Sequence, residues 1–382
     1  MRLSLLLSCL LVSSFAAKAQ DTVYARKTIK YLTSEKCFGR GYIKSGLDNA
    51  AKYIVGELRT GGVTPLFGKS YYQDFHFDVN TFPGKMSVKT DGRLLTPGVD
   101  YIVTPECKGA KGSYLLDRKD SVTFVSRSQS TPLAISLKRK LTFSVAQETA
   151  AYCGIQLLNH NNYSDIKAAE VNIQNKLVKD FLSRNICGYF PGTVNNDSVM
   201  VFSAHYDHLG GMGKNTFFPG ANDNASGVSV LLNLVKYYRA HPPKYKTLFI
   251  FFSGEEAGLI GSHYFVTQKT IDLKKIKFLI NLDLLGTGDT GIMVVNGAVY
   301  EKEYALLNKI NAEQNLMAEI KKRGKASNSD HYWFSQEGVP CFFIYTMGGT
   351  TSYHDVFDVA EKLPLTDYVD VFKLITAFVE QL

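Results

Sequence analysis

Four short runs in the second half of this chain contain almost no polar residue: Val199 to Ala204, Thr247 to Phe252, Phe278 to Leu282 and Cys341 to Tyr345. A strand with one wet face alternates apolar and polar residues, so an unbroken apolar run reads as a strand covered on both faces. Helical patterns lie between and after these runs. Gly227 to Tyr238 carries Val228, Leu231, Leu232, Leu234 and Val235 on one face, and Gly258 to Thr267 reads as a shorter helix. A last helix is predicted from about Pro364 to Leu382, with Tyr368, Phe372, Ile375 and Val379 aligned. Strands alternating with helices predict an α/β fold: a mostly parallel or mixed central sheet with helices on both faces.

The rest of the chain divides around that pattern. Met1-Arg2, the apolar run Leu3 to Phe15 and Ala17-Lys18-Ala19 read as a signal peptide cut after Ala19. Cys9 after Leu6-Leu7-Ser8 resembles a lipoprotein box, but it sits inside the apolar run, so lipid anchoring is not expected. Export, to a periplasm or to the medium, is the expectation. No later stretch reaches the ~18 apolar residues of a membrane span. Residues 20–80 read as the first part of the main domain, with a helix over Ser45 to Gly62. Residues 81–180 are rich in Thr, Ser and Val, in short alternating runs such as Lys85 to Thr90 and Val122 to Ser126. They read as a β-rich insertion, a lid or a wall, and carry no recognisable cluster of catalytic or metal-binding groups. Residues 181–382 complete the main domain. Without the leader the formal charge falls from +8 to +6 with no dense basic run, which argues against nucleic acid as a partner. Five cysteines remain, with no C-x-x-C spacing, so no pairing can be assigned.

The chemistry sits where the apolar runs stop. His205-Tyr-Asp207-His208 follows the first, Glu255 and Glu256 follow Ser253-Gly254 after the second, Asp283 follows the third, and His354-Asp355 comes shortly after the fourth. In an open α/β sheet the ligand site lies beyond the carboxyl ends of the strands, so separate strands deliver these groups to one place. Asp223 joins from the loop Pro219 to Gly227. Two adjacent carboxylates at the edge of a core repel, and a cation offsets them well. Histidines and carboxylates without cysteine form a hydrolytic zinc palette, with manganese or cobalt as alternatives. Each residue alone has a plainer reading: a core histidine, a turn aspartate, a helix cap, acids at a helix N-terminus.

Taken together the blocks resemble a known family. His205-Tyr-Asp-His-Leu-Gly210, Gly220-Ala-Asn-Asp-Asn-Ala-Ser-Gly227, Ser253-Gly-Glu-Glu-Ala-Gly258, Asn281-Leu-Asp283, Ser329-Asp-His331 and Tyr353-His354 look like the signature of the secreted di-zinc aminopeptidases, in the same order. Tyr31 to Arg40, Tyr71 to Phe75 and Asn185 to Gly192 resemble the family elsewhere. The resemblance implies two zinc ions bridged by Asp223, one completed by His205 and Asp283, the other by Glu256 and His354. It implies Glu255 as general base, with peptides as substrates. Asp207 is the expected partner of the free N–H of His205, and Asp330 a second supporting acid.

The sequence departs from the family in two places. No tyrosine stands a few residues before Ser329 to assist an oxyanion, so that help is absent or comes from elsewhere, with Tyr345 as one candidate, and Asn222 stands where many relatives carry an aspartate next to Asp223. Glutaminyl cyclases look similar over the same blocks, use one zinc, and usually carry tryptophan where this chain has Tyr353. A carboxypeptidase of the same clan and a non-catalytic binding relative are the other readings.

Overall fold

The computed structural model describes residues 21–127, 130–159 and 165–382. The leader at 1–19 and Cys9 lie outside them. Among the described residues no helix is long and apolar enough to cross a membrane.

The main sheet is mixed, and its four central strands are parallel. Lys246–Phe252, Val199–His205, Ile276–Leu282 and Cys341–Thr346 lie side by side in that order. Their residues alternate between two cores. Met200, Phe202, Phe249, Phe251, Phe278 and Ile280 pack on one face, and Val201, Leu248, Ile250, Phe252 and Leu279 on the other. Burial on both faces is why these strands show no polar alternation. The helices Gly227–Ala240 and Tyr368–Gln381 cover the first face, with Leu231, Val235, Phe372 and Ile375 in the same core. Antiparallel strands flank the parallel group: Lys176–Phe190 beside Lys246–Phe252, and Ile292–Val295 beside Cys341–Thr346.

The segment read as an insertion leaves this sheet on one long strand and returns on another. Tyr72–Thr81 and Lys176–Phe190 pair antiparallel, with an irregularity between Val178 and Phe181. Between them eight strands, from Met86–Thr90 to Ala168–Ile173, form a sheet of their own. Its core includes Val88, Phe124, Ile135 and Ile155, and it also takes in Leu209, Met212 and Phe218 from the main domain. All five described cysteines are buried and unpaired, with the Sγ atoms of Cys107 and Cys153 in contact at 3.3 Å.

Candidate metal centre

The four parallel strands end at one edge, and the predicted residues meet there. His205 is the last residue of its strand, Asp283 follows Leu282, and Glu255 and Glu256 lie in the turn beyond Phe252. The His205 Nε2 atom lies 3.4 Å from Asp223 Oδ1 and 3.5 Å from Asp283 Oδ2. The His354 Nε2 atom lies 3.0 Å from Asp223 Oδ2 and 3.3 Å from Glu256 Oε2. Asp223 therefore gives one oxygen to each histidine and joins two ligand groups. His205, Asp223 and Asp283 converge closely enough to hold a metal ion, as do His208, Asp223 and Glu256.

The loop carrying Asp223 is held from three sides. Asp358 accepts the backbone N–H groups of Asn222 at 2.9 Å and Asp223 at 3.1 Å. The side chain of Asn222 accepts the N–H of Gly286, so this asparagine fastens the loop to the turn after Asp283. Arg40, fully buried, donates to the carbonyls of Leu32, Tyr206, Pro219, Gly220 and Asp223 at 2.8–3.0 Å. Gly220 makes that approach possible: its φ is 61°, and a Cβ there would fall 2.1 Å from the Asp223 carbonyl and 2.7 Å from the guanidinium. The Asp223–Asn224 peptide bond is cis.

Two supporting acids, Asp207 and Asp330, lie beside the site with further partners. The Nδ1 atom of His205 meets the main-chain carbonyl of Asp207 at 3.2 Å, while the carboxylate stands off at 3.7 Å. The Asp207 carboxylate also serves the Glu-Glu turn. It accepts the backbone N–H groups of Glu255 and Glu256, each at 3.3 Å, and the hydroxyl of Tyr42 at 2.6 Å. The turn folds back toward the histidine strand, so its N–H groups compete for the same acid. In the second case Ser329, next to Asp330, reaches a ligand: its hydroxyl donates to Asp283 Oδ2 at 3.3 Å. Asp330 is buried, and burial pushes its carboxyl up to about 7.

The charges explain why a cation fits. Burial raises the Glu255 pKa well above the usual carboxylate range, and repulsion from Glu256, Asp330 and Asp283 adds to this. Burial also raises Asp283. Burial opposes charge on His205 and His354, yet the neighbouring acids win, and His354 is pushed up to about 9 by Glu256 and Asp223. Without a metal, the acids thus draw protons onto the imidazoles, and a bound metal displaces them. Asp283 Oδ1 is buried without a hydrogen-bond partner, as expected of a group shaped for an ion. The residues fit a divalent metal.

Several contributors had no assigned role in the sequence. His208 lies with Nδ1 2.6 Å from Glu256 Oε1, so Glu256 stands between His208 and His354. Its place within the His205 to Gly210 block was the available signal. Arg40 lies in a block that matched the family, but nothing local shows five carbonyls converging on it. Tyr353 stacks on His354 with ring centres 3.9 Å apart. Burial and the carboxylates of Asp223 and Glu256 raise its hydroxyl pKa, so Tyr353 is the tyrosine beside the site. The hydroxyl of Tyr345 instead accepts from Arg323 Nη1 at 3.4 Å.

Known proteins share this arrangement of fold and sequence. The family model described as "Peptidase family M28" matches residues 185–379. Aminopeptidase YwaD of Bacillus subtilis is 24% identical over 285 residues, which cover 73% of this chain and 57% of that protein. The alignment thus spans little more than half of that relative's length. A zinc aminopeptidase from Bacillus subtilis, BSAP, superposes with a TM-score of 0.66 at 20% identity, covering 94% of each chain. A Porphyromonas gingivalis glutaminyl cyclase superposes with a TM-score of 0.57 at 13% identity, covering 96% of this chain and 99% of that one. The match to the family model takes in the four parallel strands and every candidate ligand, and the chain belongs to peptidase family M28.

Proposed function

We propose that this protein is a zinc exopeptidase that removes N-terminal residues from peptides. The observation that carries the reading is Asp223, whose two oxygens face two histidine–carboxylate groups. His205, Asp223 and Asp283 would hold one zinc ion, and Asp223, Glu256 and His354 the other. Bound zinc supplies a water of lowered pKa and polarises the scissile carbonyl. Glu255 takes the proton from the attacking water and returns it to the leaving amine, a role that suits a carboxyl of raised pKa. The Asp207 carboxylate holds the backbone of Glu255 and Glu256, so base and ligand keep a fixed offset. Tyr353 stands over His354, where its hydroxyl can meet the developing oxyanion. The chain is proposed to act after export.

The test is a panel of aminoacyl chromogenic amides, C-terminally unblocked peptides and a glutaminyl peptide, run on wild type and Glu255→Gln. Amide hydrolysis is expected in the wild type. In the variant it should fall by about 10²–10⁴, with zinc content unchanged by elemental analysis. Equal activity in the two proteins would remove Glu255 from its role. Cyclisation without hydrolysis would favour the cyclase, and release of C-terminal residues a carboxypeptidase. No turnover and no zinc would leave a binding protein.

A further inference from the structure

The inserted region reaches the centre of the site through one segment. Residues 139–150 cross from the strand Leu133–Lys138 to Cys153–Leu158 without forming regular structure. On the way, Phe143 pairs with His354 through the main chain. The N–H of Phe143 donates to the His354 carbonyl at 2.9 Å, and His354 Nδ1 meets the Phe143 carbonyl at 3.1 Å. The Phe143 ring stacks flat on Phe218, 4.6 Å between centres, and packs edge-on against Phe82. Either side of it the segment is tied to both site loops. Lys140 Nζ donates to the Thr351 carbonyl at 2.6 Å, and Gln147 Nε2 donates to the Ala257 carbonyl at 3.0 Å.

We propose that this segment is a strap that positions His354 for the second metal ion. Such a strap presupposes the two-ion reading above. His205 and Asp283 are placed by neighbouring strands, but His354 sits in a stretch without strand or helix, with a φ of 54°. The histidine needs something else to aim its ring. A hydrogen bond from Nδ1–H to the Phe143 carbonyl fixes the tautomer and leaves the Nε2 lone pair facing Asp223 and Glu256. The reciprocal N–H bond fixes the backbone from which the ring projects. Phe143 is thus a positioning residue that acts through its carbonyl, and its ring is the anchor that holds the carbonyl in place. The inserted sheet then helps to build the centre.

The test is zinc affinity of the full chain, read by competition with a chromogenic chelator on wild type, Phe143→Gly and Phe143→Tyr. Phe143→Gly should weaken the second zinc by about 10–100-fold and leave the first unchanged, while Phe143→Tyr restores the wild-type pattern. Two equal losses, or none, in folded Phe143→Gly would overturn the strap. If that variant does not fold, Lys140→Ala with Gln147→Ala decides, since both side chains reach the site loops from the segment's outer parts. The double variant should release the second zinc about tenfold more readily, and unchanged affinity would overturn the proposal. A wild type that takes up one zinc or none would refute the two-ion reading itself, which separates the two failures.

Discussion

The two large sheets of this protein are built from similar strands and differ in where their ends point. The main sheet sets four strands parallel, so four carboxyl ends open on one edge, and every predicted ligand lies at or just beyond that edge. The inserted sheet is mostly antiparallel, so successive ends face opposite ways and its loops are scattered. Among the described residues its one parallel strand pair joins Leu133–Lys138 to Cys153–Leu158, and the connection between them is the segment that reaches His354. Strand polarity, more than residue content, decides which region gathers chemistry.

If the parallel edge is the organiser, the largest effect should come from the group that fastens a non-strand loop to it. Arg40→Met removes a buried guanidinium from five carbonyls. Orphaned buried acceptors are costly, and a loss on the order of 3–5 kcal/mol is expected. Thermal unfolding should show it, together with lost zinc uptake as Asp223 is released. Arg40→Lys should not rescue, because an ammonium cannot reach the spread of acceptors a guanidinium fork does. A stable Arg40→Met that still binds two zincs would place the organisation of that loop in Asp358 and Asn222.

The legibility of the sequence follows the same division. The four parallel strands could be read because burial on both faces leaves continuous apolar runs, and the candidate ligands His205, Glu256 and Asp283 because they follow those runs closely, whereas Asp223 and His354 stand in loops and were legible only through the blocks that resemble the family. Arg40, Asp358 and Phe143 could not. Each acts on a residue distant in sequence, through backbone atoms that leave no pattern of side-chain types. The second task of Asp207 is hidden for a related reason. Spacing puts it near His205 but does not show that the Glu255–Glu256 turn brings two N–H donors to its carboxylate. The strands of residues 81–180 were apparent as short alternating runs, but their order was not, since alternation shows a face and no partner.

A second prediction tests the main domain beside the site. His331 is fully buried, packs beside Phe343, and burial lowers its pKa to about 4. Its unfolded value is about 6.5, so between pH 6.5 and 4 the unfolded state binds the extra proton. The contribution of neutral His331 is therefore complete above pH 6.5 and is lost as pH falls toward 4, by about 3 kcal/mol. Thermal melts across that range should fall more steeply for the wild type than for His331→Asn, which cannot titrate. Parallel slopes would mean that acid sensitivity lies elsewhere, and the difference between the two proteins removes the opposing contributions of Asp330 and Asp358.

The smallest expected effect bears most directly on whether the two sheets are one body. Ile135 in the inserted sheet and Ile280 in the main sheet are both fully buried. Replacing each by valine deletes the same methylene and should cost about 0.5–1.5 kcal/mol. The inserted core includes Leu209, Met212 and Phe218 from the loop after His205, and Phe143 stacks across that junction. A shared core of this kind couples the unfolding of its parts. Calorimetry should therefore show a single transition in both variants, shifted by similar amounts. If Ile135→Val alone produced an earlier, separate transition while zinc stayed bound, the inserted sheet would melt independently of the metal centre. The strap at Phe143 would then have to hold His354 without the sheet behind it, and eight strands around a common core with the main domain give it no such independence.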